Sequence, residues 1–410
     1  MYPLASARSA RNAVSVVPAL DAGVVSSREV PAGSVRIVRR DEIATLARWP
    51  TAFLDQRKDR RFYELVEDTL GGFEYFYLLA GSAIQPCFVL DQDLASGVGA
   101  RMGAFVSGVR RLWPRFLKAR TLMVGCAAGE GHLDGSASTQ AATATLLASS
   151  LRRVARDVNC VMIVLKEFPA SYRKPLQVLE GAGFVRAPSM PMTTLALEFK
   201  NFEDYVDRML SYQMRSKLRR KLRIAARAKP AITMSVEHDI SDLVDEIYPL
   251  YLAVYDRSPL KFEKLTNAFL REIGKRMPDK ARFLIWRQGE KIIAFSLCTV
   301  QGDAVCHDYV GFDYSVAFEL NLYYVVFRDI IEWAIGNSYK RFYSGSLNYD
   351  PKWHLRQSLY PIDLYVRHTS APLNAILKRL MPLLEPTHSD PILPHFDNYR
   401  ELWESPSPAA

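Results

Sequence analysis

Three apolar, β-branched runs, Arg282–Trp286, Lys291–Val300 and Ala304–Val310, are separated only by Gln288-Gly289-Glu290 and Gln301-Gly302-Asp303. Short glycine-bearing gaps of this kind close hairpins, so the three runs form an antiparallel meander. The loop Gly311–Ala317 then opens a helix of about Phe318–Ile335, followed by a strand at Arg341–Tyr343, an irregular segment through Leu359 and a strand at Ile362–Val366. Helices over Ile240–Tyr255 and Lys264–Lys275 precede the meander. A meander followed by strands alternating with helices specifies a mixed α/β sheet.

The first half repeats that order. Val35–Val38 reads as a strand and Phe73–Leu79 with Pro86–Leu90 as a hairpin. A helical stretch over Gly99–Lys118 leads to the strand Thr121–Gly125. The glycine-bearing loop Gly129–Gly131, a helix over Thr139–Val158, the strand Val161–Leu165, a helix over Tyr172–Gly181 and the strand Thr193–Phe199 follow. At 410 residues the chain exceeds one ordinary domain, and 49% hydrophobic content fills two cores. The expected division is a disordered tail over 1–33, a domain over 34–200, a linking segment over 201–230 and a second domain over 231–404. Ser405–Ala410 reads as a second mobile end.

The linking segment is the most polarised part of the chain. From Arg208 to Lys229 there are nine Lys or Arg and no acid, while Val206, Leu210, Met214, Leu218 and Leu222 recur every fourth residue. One face of such a helix packs and the rest is cationic. It reads either as a groove for an anionic donor, through Arg215, Arg219, Arg220 and Arg223, or as a solvated connector. The net charge of +9 points the same way. Five widely spaced cysteines without a zinc or redox motif, and no apolar run long enough to span a bilayer, give the expectation of a cytoplasmic protein without a metal.

Three segments resemble the Fem-like branch of the GNAT acyltransferase superfamily. They are Phe202–Val206 leading into Ser211–Arg223, similar to that branch's basic inter-domain helix; Ala281–Cys298, similar to its hairpin; and Arg341–Tyr365, where Gly345, Lys352 and Pro361 fall in its glycine, lysine, proline pattern. The resemblance implies two tandem GNAT-type domains of mixed α/β class joined by a basic helix. It further implies an N-acyltransferase that moves an acyl or aminoacyl group onto a small-molecule or peptide amine, with acyl-CoA or aminoacyl-tRNA as donor co-substrate. One departure concerns the phosphate loop. At the usual place stands Gly311-Phe312-Asp313-Tyr314-Ser315, with one glycine and an acid that repels pyrophosphate. Gly125–Gly131 is an alternative phosphate site or a surface glycine loop.

Acyl transfer to an amine needs positioning, a stabiliser of the developing oxyanion and a modest base. His307 and Asp308 are neighbours on a strand and point to opposite faces, so one of them can serve the acceptor; His307 is the candidate, with a core histidine as the alternative. Glu319, in the first helical turn after the loop, is a second. Lys352, Trp353, His354 and Arg356 form an irregular segment after a strand end, with Lys352 and His354 as catalytic candidates and Arg356, Trp353 and Tyr309 as substrate-binding ones. Two other classes fit part of the pattern. The basic helix alone suits a nucleic-acid-binding protein, and with Pro372–Pro394 it suits a peripheral membrane protein, although that segment, interrupted at Pro382, reads as a cap on the second sheet.

Overall fold

The computed structural model describes residues 35–93, 118–258 and 261–404, with Gly108 and Arg111. The expected tails and most of the stretch expected as a helix over Gly99–Lys118 lie outside the described residues.

Among the described residues, two seven-stranded mixed sheets are built on one plan. In the first, β1 (Val35–Val38), β2 (Glu74–Ala80), β3 (Ala83–Asp93) and β4 (Lys118–Val124) are antiparallel, and β4 pairs in parallel with β5 (Met162–Pro169). In the second, β8 (Ile232–Glu237), β9 (Ala281–Gln288), β10 (Lys291–Gln301) and β11 (Ala304–Phe312) are antiparallel, and β11 pairs in parallel with β12 (Arg341–Ser344). Each parallel pair is crossed by a long helix, Ala137–Asp157 in one and Leu322–Gly336 in the other.

The sheets then exchange strands. β6 (Val185–Pro188) closes the first sheet, but the strand between β5 and β6 is β14 (Ile362–His368), from the far end of the chain. Reciprocally, β7 (Met192–Ala196) lies in the second sheet between β12 and β13 (Ser358–Tyr360). The residues 34–200 and 231–404 thus each contribute one strand to the other's sheet.

Helices are labelled α1 (Arg40–Ala44), α2 (Arg60–Thr69), α3 (Ala137–Asp157), α4 (Arg173–Leu176), α5 (Val178–Gly181), α6 (Phe202–Met209), α7 (Tyr212–Ala226), α8 (Val244–Arg257), α9 (Asn267–Arg276), α10 (Leu322–Gly336), α11 (Tyr349–His354) and α12 (Ala371–Leu384). Both faces of each sheet are covered, which is why the strands read as continuous apolar runs. Along β9, Phe283 and Ile285 join a core shared with Phe62 of α2, Ile247 of α8, Phe269 of α9 and, from the first sheet, Met123 and Val164. Leu284 and Trp286 face the other way, against Leu218 of α7 and Ile330 of α10. α3 covers the remaining face of the first sheet through Leu147 and Leu151. The halves share one core and form α/β/α/β/α layers.

Several local expectations change. β11 runs through Gly311 to Phe312, because Gly311 lets α8 approach: a Cβ there would lie 2.7 Å from the Leu250 carbonyl carbon and 2.4 Å from the Phe295 ring. Gly311→Val is therefore expected to destabilise the protein by about 3 kcal/mol, read as a lower urea midpoint; an unchanged midpoint would show that α8 yields instead. The basic helix breaks at Leu210, where the Ser211 side chain accepts from the Met214 N–H and caps α7. Pro382 does not interrupt α12, since it sits in the last turn, and α12 packs on β14 and β6 of the first sheet rather than capping the second. All five cysteines are buried and unpaired.

Candidate functional site

The parallel pair of the second sheet opens partway along. β12 follows β11 only over Ala304–His307, the last contact being Gly345 N–H to the His307 carbonyl at 3.3 Å. A register shift between Leu297 and Cys298 inserts Asp308 as a bulge in β11. A bulge bends its strand and ends regular pairing, so β11 and β12 part there. Among the described residues, no strand pairs with β11 from Asp308 to Phe312 on the β12 side.

The bulge also sorts the side chains. His307 faces the α10 side, with its ring 6.4 Å from that of Phe342. Asp308 and Tyr309 both turn toward the other half of the molecule, and the expected opposition of His307 and Asp308 holds. Tyr309 donates to Glu263 at 3.0 Å and stands beside Tyr251 and Phe269, away from His307.

After β12 the chain turns through Leu347 and Asn348, both in the left-handed region, into α11. This fold brings Lys352 back to the opening. Its ammonium donates to the Gly345 carbonyl and lies 5.7 Å from the centre of the Tyr349 ring. With only 5% of its surface exposed, burial pushes its pKa down to about 7. Burial, aided by the charge of Lys352, takes His307 down to about 3, so the imidazole is neutral; its buried Nε2 has no hydrogen-bond partner among the described residues. Lys352 is thus a buried group and not the exposed one that an irregular loop suggests, because the segment is helical and folds inward.

The other candidates disperse. Glu319 is exposed in the turns before α10, whose helix starts only at Leu322. His354 bonds back to the Asp350 carbonyl at 2.8 Å, Trp353 packs against the buried cluster that holds Tyr349 and Leu393, beside His395, and Arg356 points outward from a left-handed backbone position.

Behind the bulge lies a polar network that no local pattern announces. Arg57 donates to Asp308 and to Thr299, both at 2.6 Å, and to Glu130. Glu130 also holds Lys58 at 3.0 Å and His132 at 3.2 Å. Burial raises the Asp308 carboxyl even against Arg57, whereas for Glu130 the pull of Arg57 and Lys58 outweighs burial and holds it well below the usual range. Arg57 and Glu130 are far apart in the chain and isolated among unremarkable neighbours; only the pairing of the two halves joins them. Lys58 also fills the loop Gly125–Gly131, donating to the carbonyls of Ala128 and Glu130, both at 2.8 Å. The loop is buried rather than a surface one, and its Ala128, Gly129 and Glu130 carbonyls accept from Lys58 and Lys166, an arrangement that suits a cation.

Cations also gather at the α10 N-terminus. Lys221 of α7 donates to Asn321, the residue before α10, at 3.0 Å and sits 4.6 Å from the Tyr324 ring centre. Burial and the neighbouring Lys217 and Arg220 lower its pKa, the mark of crowded cations. The helix dipole adds to them. Asp313 is not free to repel an anion: Lys291 pairs with it at 2.6 Å, and it accepts from Ser315. Of the other α7 arginines, Arg219 is held by Glu203 at 2.8 Å and Asp207 at 2.7 Å, Arg215 leans on Asp207, and Arg223 is exposed.

This opened pair, entered by a helix whose N-terminus carries cations, coincides with a sequence match: residues 213–352 fit the Acetyltransferase (GNAT) domain family. The match covers about a third of the 410-residue chain. Solved structures similar to the chain include L-PGS from Bacillus licheniformis, at 12% identity and TM-score 0.49 over 79% of this chain and 95% of that one. FemX follows at 10% identity and 0.49, over 78% and 93%. A tandem GNAT protein from the clavulanic acid biosynthesis pathway matches at 9% and 0.39, over 73% and 83%. At such scores none of them decides function. No curated protein matches the sequence significantly. Among the described residues, no helix is long and apolar enough to cross a membrane, and no group of three or more His, Cys, Asp or Glu is placed to hold a metal.

Proposed function

We propose that the chain is an N-acyltransferase that transfers an acyl group from acyl-CoA to an amine at the opening between β11 and β12. The observation that carries this reading is Lys352: an amine held near neutrality by burial, at the point where a bulged GNAT strand parts from its neighbour. The donor supplies an activated thioester carbonyl. Lys217, Arg220, Lys221 and the α10 N-terminus hold its phosphates. The unpaired edge of β11 beyond Asp308 offers backbone donors to the developing oxyanion. Lys352 in its neutral form takes the proton that the attacking amine loses as the new C–N bond forms and the thiolate leaves. Neutral His307 keeps a second positive charge away from Lys352. The Arg57 network backs the bulge and holds Asp308 in place.

Calorimetric titration with CoA tests the donor half. Lys217→Ala combined with Lys221→Ala is expected to weaken binding at least about ten-fold and to flatten its salt dependence, whereas Arg219→Ala, already matched by two carboxylates, changes it little. Equal affinity in all three proteins would remove the phosphate site from α7. Release of free thiol from acetyl-CoA with pooled amines reads the transfer half. Failure to bind CoA together with salt-sensitive retention of aminoacyl-tRNA would replace the donor.

A further inference from the structure

α12 turns an apolar face away from the protein. Leu373, Ile376, Leu380, Leu383 and Leu384 are between 44% and 77% exposed, while Leu377 and Met381 on the adjoining face pack into the shared core. At about 100° per residue the exposed five fall within a sector of roughly 100°, a continuous stripe and not scattered side chains. Lys378 and Arg379 are exposed and are the only charged residues of the helix; at the same spacing Arg379 borders the apolar sector and Lys378 lies on the opposite, polar face.

The surroundings are also cationic. Arg152 of α3 donates to the carbonyl of Thr369, next to the Ser370 cap of α12. Arg367 of β14 approaches Asn374 of α12, since a Cβ on Gly183 would lie 3.6 Å from Arg367 Nε and 3.7 Å from Asn374 Nδ2. The Arg367 Nε is buried without a hydrogen-bond partner among the described residues, and burial, with the charges of Arg152 and Arg156, lowers its pKa. None of Arg152, Arg156, Arg367, Lys378 and Arg379 makes an ion pair among the described residues; the acids on the adjoining helices are Asp157 and Glu180.

An apolar stripe bordered and backed by unmatched cations complements a surface that is apolar below and anionic above. We propose that α12 docks the protein in the plane of an anionic lipid bilayer, with the stripe among the acyl chains and the exposed Arg156, Lys378 and Arg379 available to the headgroup phosphates. A second copy of the chain is the poorer partner, because an isologous contact through this face would bring Arg379 toward its own equivalent with no acid on the helix to offset it. The inference is independent of acyl transfer: α12 rests on β14 and β6 of the first sheet, whereas the opening lies in the second.

Flotation of the full chain with vesicles tests it. The protein is expected to rise with vesicles of equal parts phosphatidylglycerol and phosphatidylcholine and to stay down with phosphatidylcholine alone. Ile376→Glu combined with Leu383→Glu should abolish flotation without lowering the melting temperature, because both side chains face solvent. Lys378→Ala and Arg379→Ala should each weaken binding about five-fold. Wild-type protein that stays down with the anionic vesicles, or a glutamate variant that floats as well as wild type, overturns the proposal. So does a wild-type dimer that the glutamate variant dissociates, which would make a second copy the occupant.

Discussion

Arg57→Met is expected to destabilise the protein by about 3–5 kcal/mol, the cost of removing one partner from a buried charge network. The guanidinium is 11% exposed and spans three groups: Glu130 after β4, and Thr299 and Asp308 in the second sheet. Without it, Glu130 keeps Lys58 and His132, but Asp308 keeps only the Thr299 hydroxyl at 2.6 Å. The loss therefore falls on Asp308, whose carboxyl burial already raises. Asp308→Asn should be much milder and, combined with Arg57→Met, should recover at least about 1 kcal/mol of the loss, since neighbours in one network are not additive. Denaturant midpoints of the four proteins close this cycle. A loss below about 1 kcal/mol for Arg57→Met would mean that water enters and solvates Asp308.

Lys352→Met is expected to act in opposite directions on activity and stability. Removing the proton acceptor should lower kcat by about 10²–10⁴-fold. Wild-type activity should rise with pH through about 7, as the Lys352 amine loses its proton, and this rise should vanish in the variant. The stability argument follows from linkage. The folded pKa, about 7, lies below the ordinary lysine value of 10.5, so the unfolded chain binds more protons between these values. The wild type therefore loses stability as pH falls from about 10.5 to about 7, and the full penalty is present below 7. Methionine escapes it, and Lys352→Met should be about 1–3 kcal/mol more stable than wild type at pH 6, with the difference shrinking toward pH 10. Melting curves at both pH values and a pH–rate profile read the two effects together. A variant that is inactive and also less stable at pH 6 would make Lys352 a structural residue.

The readable parts of this protein were those whose cause is local. The meander over β9, β10 and β11 follows from short glycine turns between β-branched runs, and the opposite orientations of His307 and Asp308 follow from the two-residue period of a strand. Lys352 was recognisable as a position, by its distance after Gly345, but not in its environment. Its burial depends on Leu347 and Asn348 adopting left-handed backbone and tilting α11 inward. The Asp308 bulge exists only in relation to β10, and Arg57 acquires a role only when residues 251 positions apart meet. Pro382 suggested a helix end where α12 merely uses its last turn.

The strand exchange was invisible for the same reason: β7 and β14 each have the pattern of a last strand, and nothing in that pattern says to which sheet it belongs. Its consequence concerns the order in which the molecule can be completed. As the chain leaves the ribosome, residues up to β6 can meander together, but the first sheet keeps a gap between β5 and β6 until β14, at Ile362–His368, has emerged. β7 must meanwhile wait for β12, almost 150 residues later. Contacts of such sequence separation are slow to form and leave strand edges open to wrong partners. Neither half can be produced alone with a finished sheet, and a chaperone that shields the edges of β5 and β7 during synthesis should raise the yield of native protein more than lower temperature does.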